Sequence, residues 1–238
     1  MKSVPALIVF LALAAPAAFA SEAVEIKALG FSPHGRHFAF EQKGKSEHGP
    51  YSIITVMDVE SSRLMRGSRI TYADEDRKKL AKINQQTKRQ IRRLKITTKD
   101  LMTVSVRGFD AEPFHEAAVK SFVLPSKWFG PDASLVLRTI KLVTQRCKDT
   151  KAAPIGFALA LERQGMPTVP LRHDVALTDE RGCPTHYRIA EIHTRRLKDG
   201  SHALAVLIQD LTPGVTGENR GYSAVTGLIP AKTMAKAQ

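Results

Sequence analysis

The chain has 238 residues and is strongly basic: 36 Lys and Arg residues outnumber 23 Asp and Glu residues, and the formal net charge is +13. It contains only two cysteines, and their spacing is not Cys-x-x-Cys, which argues against a thiol–disulfide exchange enzyme. The length is sufficient for one large domain or two small ones.

Residues 1–20 have the pattern of a cleaved secretory signal. Lys2 is followed by an apolar run over Val4–Ala15, and the small-residue pattern Ala-Phe-Ala ends at Ala20. A retained membrane anchor is the alternative, but the apolar run is shorter than the roughly 20 residues that span a bilayer. We therefore expect cleavage after Ala20 and a soluble, periplasmic or secreted protein that is not transmembrane after processing.

The excess of positive charge remains after the signal is removed. Residues 21–238 contain 35 basic and 23 acidic residues, so the mature net charge is +12. In an exported protein this charge favours an anionic envelope surface, formed by lipid headgroups or wall polymer, over nucleic acid as the partner. Another envelope protein is an alternative partner, and a basic protein with no such partner is the remaining alternative.

Residues 23–70 predict a meander of short β-strands, which cover 24–28, 38–40, 53–59 and 64–70. The segment Gly30–Phe40, with the turn sequence Ser-Pro-His-Gly, resembles the strand–turn–strand signature of TolB-like propeller blades. Because a propeller needs about four or more blades and the motif occurs once, we predict one blade-like sheet.

Residues 74–94 predict an amphipathic helix with Asp74 as its N-cap. Its stripe of mainly apolar residues comprises Leu80, Ile83, Thr87, Ile91 and Leu94. The candidate binding residues on the other side are Lys82, Arg89, Arg92 and Arg93. They could dock on an anionic surface, because each basic residue near acidic lipid contributes about 1 kcal/mol. The alternative is a helix that packs on its own protein while its charges remain solvated.

Residues 101–238 predict a β-rich domain, with strands over 102–107, 117–124, 135–143, 155–161, 186–192, 203–209 and 222–227. The run 203–208 is continuously apolar, which indicates a strand in the centre of its sheet. Short strands separated by Pro and Gly turns favour a sandwich. The predicted fold is therefore mainly β with one long helix (α+β): a blade-like antiparallel β-meander with a basic helix over 21–100, then a β-sandwich-like domain over 101–238.

Cys147 and Cys183 are predicted to form a disulfide, because an exported protein enters an oxidising compartment. Two free buried thiols are the alternative. In the chain-entropy treatment, a closed loop of about 37 residues contributes roughly 4 kcal/mol to stability.

No catalytic residue, metal ligand or cofactor is predicted. The chain lacks a Gly-x-Ser-x-Gly elbow, a Ser-x-x-Lys signature and a phosphate-binding glycine loop. The histidines show no ligand spacing, and His186 and His193, an odd number of residues apart, should lie on opposite faces of a regular strand. The alternative function is a periplasmic hydrolase whose site assembles from loops around His173–Glu180 and Gly214–Tyr222.

Several segments resemble a known family; they are Arg181–Ile189, Ala205–Ile208, Pro213–Arg220 and Ala224–Thr226, with Phe31–Glu41 and Tyr51–Ile53 near the N-terminus. In these segments the chain is similar to the DUF2259 family of predicted secreted proteins. The resemblance implies secretion and supplies no mechanism. Arg220, in the C-terminal segment, joins the helix cations as a candidate binding residue. The predicted function is a non-enzymatic binding or scaffolding module of the cell envelope.

Overall fold

The computed structural model describes residues 24–46, 49–65, 77–106, 119–142, 147, 155–177, 182–213 and 218–231. Within these ranges the chain forms three antiparallel four-stranded sheets and two helices, so the prediction of a mainly β protein is confirmed. The strands are β1 Glu25–Phe31, β2 His37–Ser46, β3 Gly49–Asp58, β4 Arg63–Leu64, β5 Met102–Ser105, β6 Val119–Val123, β7 Ser134–Lys141, β8 Ile155–Glu162, β9 Val169–His173, β10 His186–Arg196, β11 His202–Pro213 and β12 Glu218–Ile229. The helices are α1 Arg77–Arg93 and α2 Ser126–Phe129.

The first sheet is a meander in the order β1-β2-β3-β4. Its last turn is fixed by Asp58, whose Oδ1 accepts hydrogen bonds from the Ser61 hydroxyl at 2.6 Å and the Ser61 N–H at 2.9 Å. The same two bonds lower the pKa of the Asp58 carboxyl, because they stabilise its charged form. The likeness of this sheet to a propeller blade rests on the sequence alone.

The middle sheet has the order β12-β11-β10-β5 and the third sheet the order β6-β7-β8-β9. The strand β11 lies inside the middle sheet and is buried at each position from 202 to 209, which confirms the central position that the apolar run predicted. The strand β5 already pairs with β10, so the chain enters the middle sheet directly after residue 101. The predicted domain boundary near residue 100 stays a prediction.

Two apolar cores show that the sheets are stacked, with the middle sheet shared between them. Between the middle and third sheets, Leu204 and Val206 pack in one cluster with Leu159 and Leu161. On the other face of β11, the small residues Ala203 and Ala205 pack against the aromatic rings of the first sheet, which are Phe31, Phe38 and Phe40. Small side chains on this face leave room for the rings, which accounts for the close contact of the two sheets.

The helix α1 lies within the predicted range 74–94 and packs against β3. Thr87 is fully buried, and Ile83, Ile91 and Leu94 are half-buried, as the stripe predicted. The predicted N-cap Asp74 lies outside the described residues, and so does the side chain of Leu80. The Asn84 side chain fixes the helix to the sheet, because its Nδ2 donates to the Ser52 carbonyl at 2.6 Å.

The predicted disulfide between Cys147 and Cys183 is present, with the two Cα atoms 5.7 Å apart. It joins the connection between β7 and β8 to the segment before β10. Next to it, the Ile155 N–H donates to the Pro184 carbonyl at 3.0 Å. The segment before β10 is thus joined to the β7–β8 connection by the disulfide and to the first residue of β8 by a hydrogen bond.

Two sequence predictions about the C-terminal part were wrong. The strand β9, which contains Pro170, was not predicted, and it forms an edge of the third sheet, where a proline is tolerated. His186 and His193 lie on the same face of β10, since their partners Leu211 and Ala205 are both odd-numbered residues of β11, which alternates regularly. A bulge between Ile189 and Glu191 shifts the alternation of β10.

Candidate functional site

The exposed side of α1 is the candidate docking surface. We call it the basic face, formed by Lys82, Arg89, Arg92 and Arg93, all of which are exposed. The sequence of α1 contains eight basic residues and no Asp or Glu. Within the described part of the chain, none of the four basic-face residues forms an ion pair. The basic face therefore presents uncompensated charge to the solvent.

The charge of the basic face is only partly explained by the stability of the helix. Arg92 and Arg93 lie in the last turn, where cations interact favourably with the helix dipole. Arg89, however, is three and four residues before them, and like charges at these spacings destabilise a helix by about 0.2–0.5 kcal/mol per pair. An anion bound to this face would relieve that repulsion.

Arg220, the fifth predicted binding residue, is not on the helix. It lies on β12, opposite Leu211, in the middle sheet. Its Nε atom is buried and has no hydrogen-bond partner. The structure therefore brings Lys82, Arg89, Arg92 and Arg93 together on one helix and leaves Arg220 on a different element.

The loops proposed for a hydrolase are described only in part. His173 is exposed at the end of β9, whereas the next residue, Asp174, is buried. The Asp174 carboxylate accepts hydrogen bonds from the Phe157 N–H at 3.0 Å and from Arg172 Nε at 2.8 Å. Asp174 thus connects β9 to β8. Residues 178–181 and 214–217 lie outside the described residues, so the hydrolase alternative stays a prediction.

A second group of polar side chains, which the sequence did not predict, crosses from β10 to β5. The His193 ring is buried, with Nδ1 2.9 Å from Thr103 Oγ1 and Nε2 3.0 Å from Glu191 Oε2. The ring centroid is 5.6 Å from that of Phe38. We call Thr103, His193 and Glu191 the hydroxyl–imidazole–carboxylate chain.

The directions of the hydrogen bonds in the hydroxyl–imidazole–carboxylate chain follow from the chemistry of its three groups. An ionised carboxylate only accepts hydrogen bonds, so His193 Nε2 must carry the proton that is donated to Glu191. In the neutral imidazole, Nδ1 is then the acceptor, and the Thr103 hydroxyl donates to it. A hydroxyl that donates to an imidazole, which in turn donates to a carboxylate, is the arrangement that activates a hydroxyl as a nucleophile.

One signal for this group was visible in the sequence. Glu191 and His193 are two residues apart, a spacing that places both side chains on one face of a strand. Thr103 could not be assigned to them, because it is 90 residues away from His193 and pairs with it only through the sheet. The prediction for His193 compared it with His186 and not with Glu191, the carboxylate beside it.

The fold and these surfaces define a class of protein: a basic, mainly β protein of three stacked antiparallel sheets, stabilised by one disulfide. Neither helix in the described residues is long and apolar enough to span a bilayer. The predicted secreted protein family DUF2259 matches residues 39–227, and the chain belongs to this family. No curated protein matches the chain, and no solved structure does.

Proposed function

We propose that this protein is a binding or scaffolding module of the cell envelope that docks on anionic phospholipid headgroups through the basic face. In this proposal, α1 and the first sheet form a blade-like docking unit, and the other two sheets form a sandwich-like support. The observation that carries the proposal is the exposed, unpaired charge of Lys82, Arg89, Arg92 and Arg93 on a helix with no acidic residue.

The expected strength of docking follows from the number of charges. Each Lys or Arg close to an anionic leaflet contributes about 1 kcal/mol, so the four basic-face residues together contribute about 4 kcal/mol. The half-buried stripe of α1 packs on the protein, and no exposed aromatic residue is available on the described part of the helix for insertion. The binding should therefore be electrostatic, reversible and sensitive to salt.

Sedimentation with vesicles tests the docking. The mature chain should sediment with phosphatidylcholine vesicles that contain phosphatidylglycerol and not with pure phosphatidylcholine. Binding should fall between about 10 mM and about 1 M salt, since the Debye length falls from about 30 Å to about 3 Å over this range. Competition by a soluble anionic wall polymer, added in a separate arm, would identify the polymer as the preferred surface.

Two triple variants with the same net charge distinguish vesicle binding by the basic face from binding by the overall positive charge of the protein. Arg89→Gln, Arg92→Gln and Arg93→Gln together should weaken vesicle binding about 100-fold, from about 3 kcal/mol of lost interaction. The matched control carries the same substitution, to Gln, at three exposed lysines outside α1, which are Lys127, Lys141 and Lys198. Equal loss in both triple variants, or no vesicle binding at low salt, would refute docking by this face.

The proposed location is the periplasm or the exterior, after cleavage between Ala20 and Ser21. Membership of a family of predicted secreted proteins supports export, and the apolar segment Val4–Ala15 supports a signal peptide. Intact-mass measurement of the protein recovered from the periplasm or medium should give a chain that begins at Ser21. A full-length chain retained in the cytosol would contradict the proposal.

A further inference from the structure

We propose that the hydroxyl–imidazole–carboxylate chain is a second functional site, which transfers acyl groups from carboxylic esters with Thr103 as the nucleophile. This activity is independent of docking by the basic face. The assignment rests on geometry: the Thr103 hydroxyl lies 2.9 Å from His193 Nδ1, and Glu191 lies 3.0 Å from His193 Nε2. Both distances are within the reach required of a nucleophile, its base and the group that orients the base.

The burial of the three residues suits these roles. His193 is only 1% exposed, so its ring is held in place by Phe38 and by two hydrogen bonds. Thr103 is exposed, so an ester can approach its hydroxyl from the solvent. The Glu191 side chain is 23% exposed and lies 3.0 Å from His193 Nε2, where it can orient the imidazole. A fixed base with an accessible nucleophile meets the needs of general-base catalysis.

A backbone donor lies beside the nucleophile. Directly after β5, the Val106 N–H donates to the Ala190 carbonyl of β10 at 3.0 Å, so the even-numbered N–H groups of β5 also point towards β10. The N–H of Thr103 therefore points away from β10, at the outer edge of the middle sheet. There it can donate to the oxyanion that forms when the Thr103 hydroxyl attacks a carbonyl. One such donor contributes about 10²–10³ in rate.

The reaction balances without a cofactor. Thr103 Oγ1 forms a bond to the ester carbonyl carbon while its proton passes to His193 Nδ1. The tetrahedral intermediate then expels the alkoxide, which leaves as the alcohol after taking the proton from His193. Water, with its proton accepted by the same Nδ1, releases the carboxylic acid and regenerates Thr103.

The substrate class follows from the limited stabilisation that this site offers. The N–H of Thr103 is the one backbone donor that this geometry assigns to the oxyanion. Amides have poor leaving groups and need strong oxyanion stabilisation, whereas esters of acidic alcohols do not. Esters of acidic alcohols are therefore the expected substrates.

Covalent labelling tests the proposal directly. The folded, mature protein should react with an alkyl fluorophosphonate at Thr103, as located by peptide mass spectrometry, and should hydrolyse p-nitrophenyl acetate. Thr103→Val keeps the shape of the side chain at an exposed position and should lower both the labelling rate and the hydrolysis rate about 100-fold. Thr103→Ser should restore labelling, because it retains the hydroxyl.

Two further variants distinguish catalysis from structure. Ser105→Ala removes another exposed hydroxyl of β5, on the same face as Thr103, and should leave both rates unchanged. Glu191→Gln can still accept the hydrogen bond from His193 but lacks the charge that stabilises the imidazolium, and should lower the rates at least about 10-fold without loss of thermal stability. The proposal would be overturned if the wild type were labelled no faster than Thr103→Val. Equal rates of ester hydrolysis by the wild type and Thr103→Val would also overturn it.

Discussion

The side-chain amide of Gln42 forms two hydrogen bonds with the backbone of Tyr222, across 180 residues of sequence. Gln42 Nε2 donates to the Tyr222 carbonyl at 3.1 Å, and Gln42 Oε1 accepts from the Tyr222 N–H at 3.2 Å. The amide thus pairs with β12, an edge strand of the middle sheet, as a neighbouring strand would. Further along the same edge, the Thr226 N–H donates to Ser62 Oγ at 3.0 Å. The first sheet in this way protects an edge that could otherwise pair with another chain.

Replacing Gln42 with Leu should destabilise the protein by about 2 kcal/mol. The variant leaves the N–H and the carbonyl of Tyr222 without their partners, and each lost hydrogen bond costs about 1 kcal/mol. Urea denaturation measures the change in the free energy of unfolding. The control Lys27→Leu, at an exposed position of β1, should change it by less than about 0.5 kcal/mol. Equal effects of the two substitutions would contradict a specific role for Gln42.

The strands were predictable where one physical signal dominated. Residues 155–161 alternate in side-chain size and 203–208 are continuously apolar, and both segments form strands with the predicted burial. The strand β9 was missed because Pro170 indicates a loop, and only its edge position in the sheet makes a proline acceptable. Whether a strand lies at the edge or in the centre of its sheet depends on the whole fold and cannot be predicted from the local sequence.

The polar contacts were less predictable than the strands. The bulge at Ile189 and Glu191 carries no glycine or proline that would reveal it, yet it determines which face His193 occupies. Gln42 lies among polar residues, a pattern that predicts exposure. It is buried only because β12 passes beside it. The exposure of Lys82, Arg89, Arg92 and Arg93, in contrast, follows from the helical period, since a helix fixes its own faces.

Gly30 should be the least replaceable glycine of the first sheet. Its φ of 103° is unfavourable for other residues, and a Cβ there would lie 2.0 Å from the Thr97 carbonyl oxygen. Gly165 is the matched control, because it also has a positive φ, of 70°, but no atom lies within 4 Å of its Cβ position. Gly165→Ala should cost about 1 kcal/mol, the penalty of the backbone conformation alone.

The Ala substitution at Gly30 should cost at least about 2 kcal/mol more than that at Gly165, because the backbone of Thr97 must also move. Thermal and urea unfolding of the two variants measure the difference. Gly30→Ala should also weaken the β-bridge between Phe31 and Thr97. The amide of Thr97 should then exchange its hydrogen faster than in the wild type. Equal destabilisation by the two substitutions would show that the steric contact with Thr97 has no energetic effect.

Removal of the disulfide should cost about 4 kcal/mol. The bridge closes a loop with a sequence separation of 36, and in the chain-entropy treatment this loop restricts the unfolded chain. The double variant Cys147→Ser and Cys183→Ser should unfold at a lower urea concentration than the oxidised protein. Alkylation without reductant, followed by mass spectrometry, should find the two cysteines of the exported protein linked and unmodified. Two alkylated thiols would refute the bond in the exported protein.

The imidazole of His202 should make the stability depend on pH below neutrality. The residue is buried, its ring centroid is 5.2 Å from that of Phe129, and burial lowers its pKa, with a smaller contribution from the positive charge of Arg196. The unfolded state therefore binds a proton at higher pH than the folded state. Stability is full above the unfolded pKa of about 6.5 and is lost as the pH falls towards the folded pKa, by at most about 1.4 kcal/mol per pH unit.

The loss of stability that protonation of His202 causes can be distinguished from the effects of other titrating groups. Hydrogen bonds from Ser61 and Ser201 lower the pKa values of Asp58 and Asp199, so their contributions are lost only at still lower pH, below about 4. The free energy of unfolding, measured between pH 7 and pH 5, should fall more steeply for the wild type than for His202→Gln. His34→Gln, at an exposed turn position, should retain the slope of the wild type. The same slope in wild type and His202→Gln would mean that the buried imidazole is protonated without cost, against the burial that the structure shows.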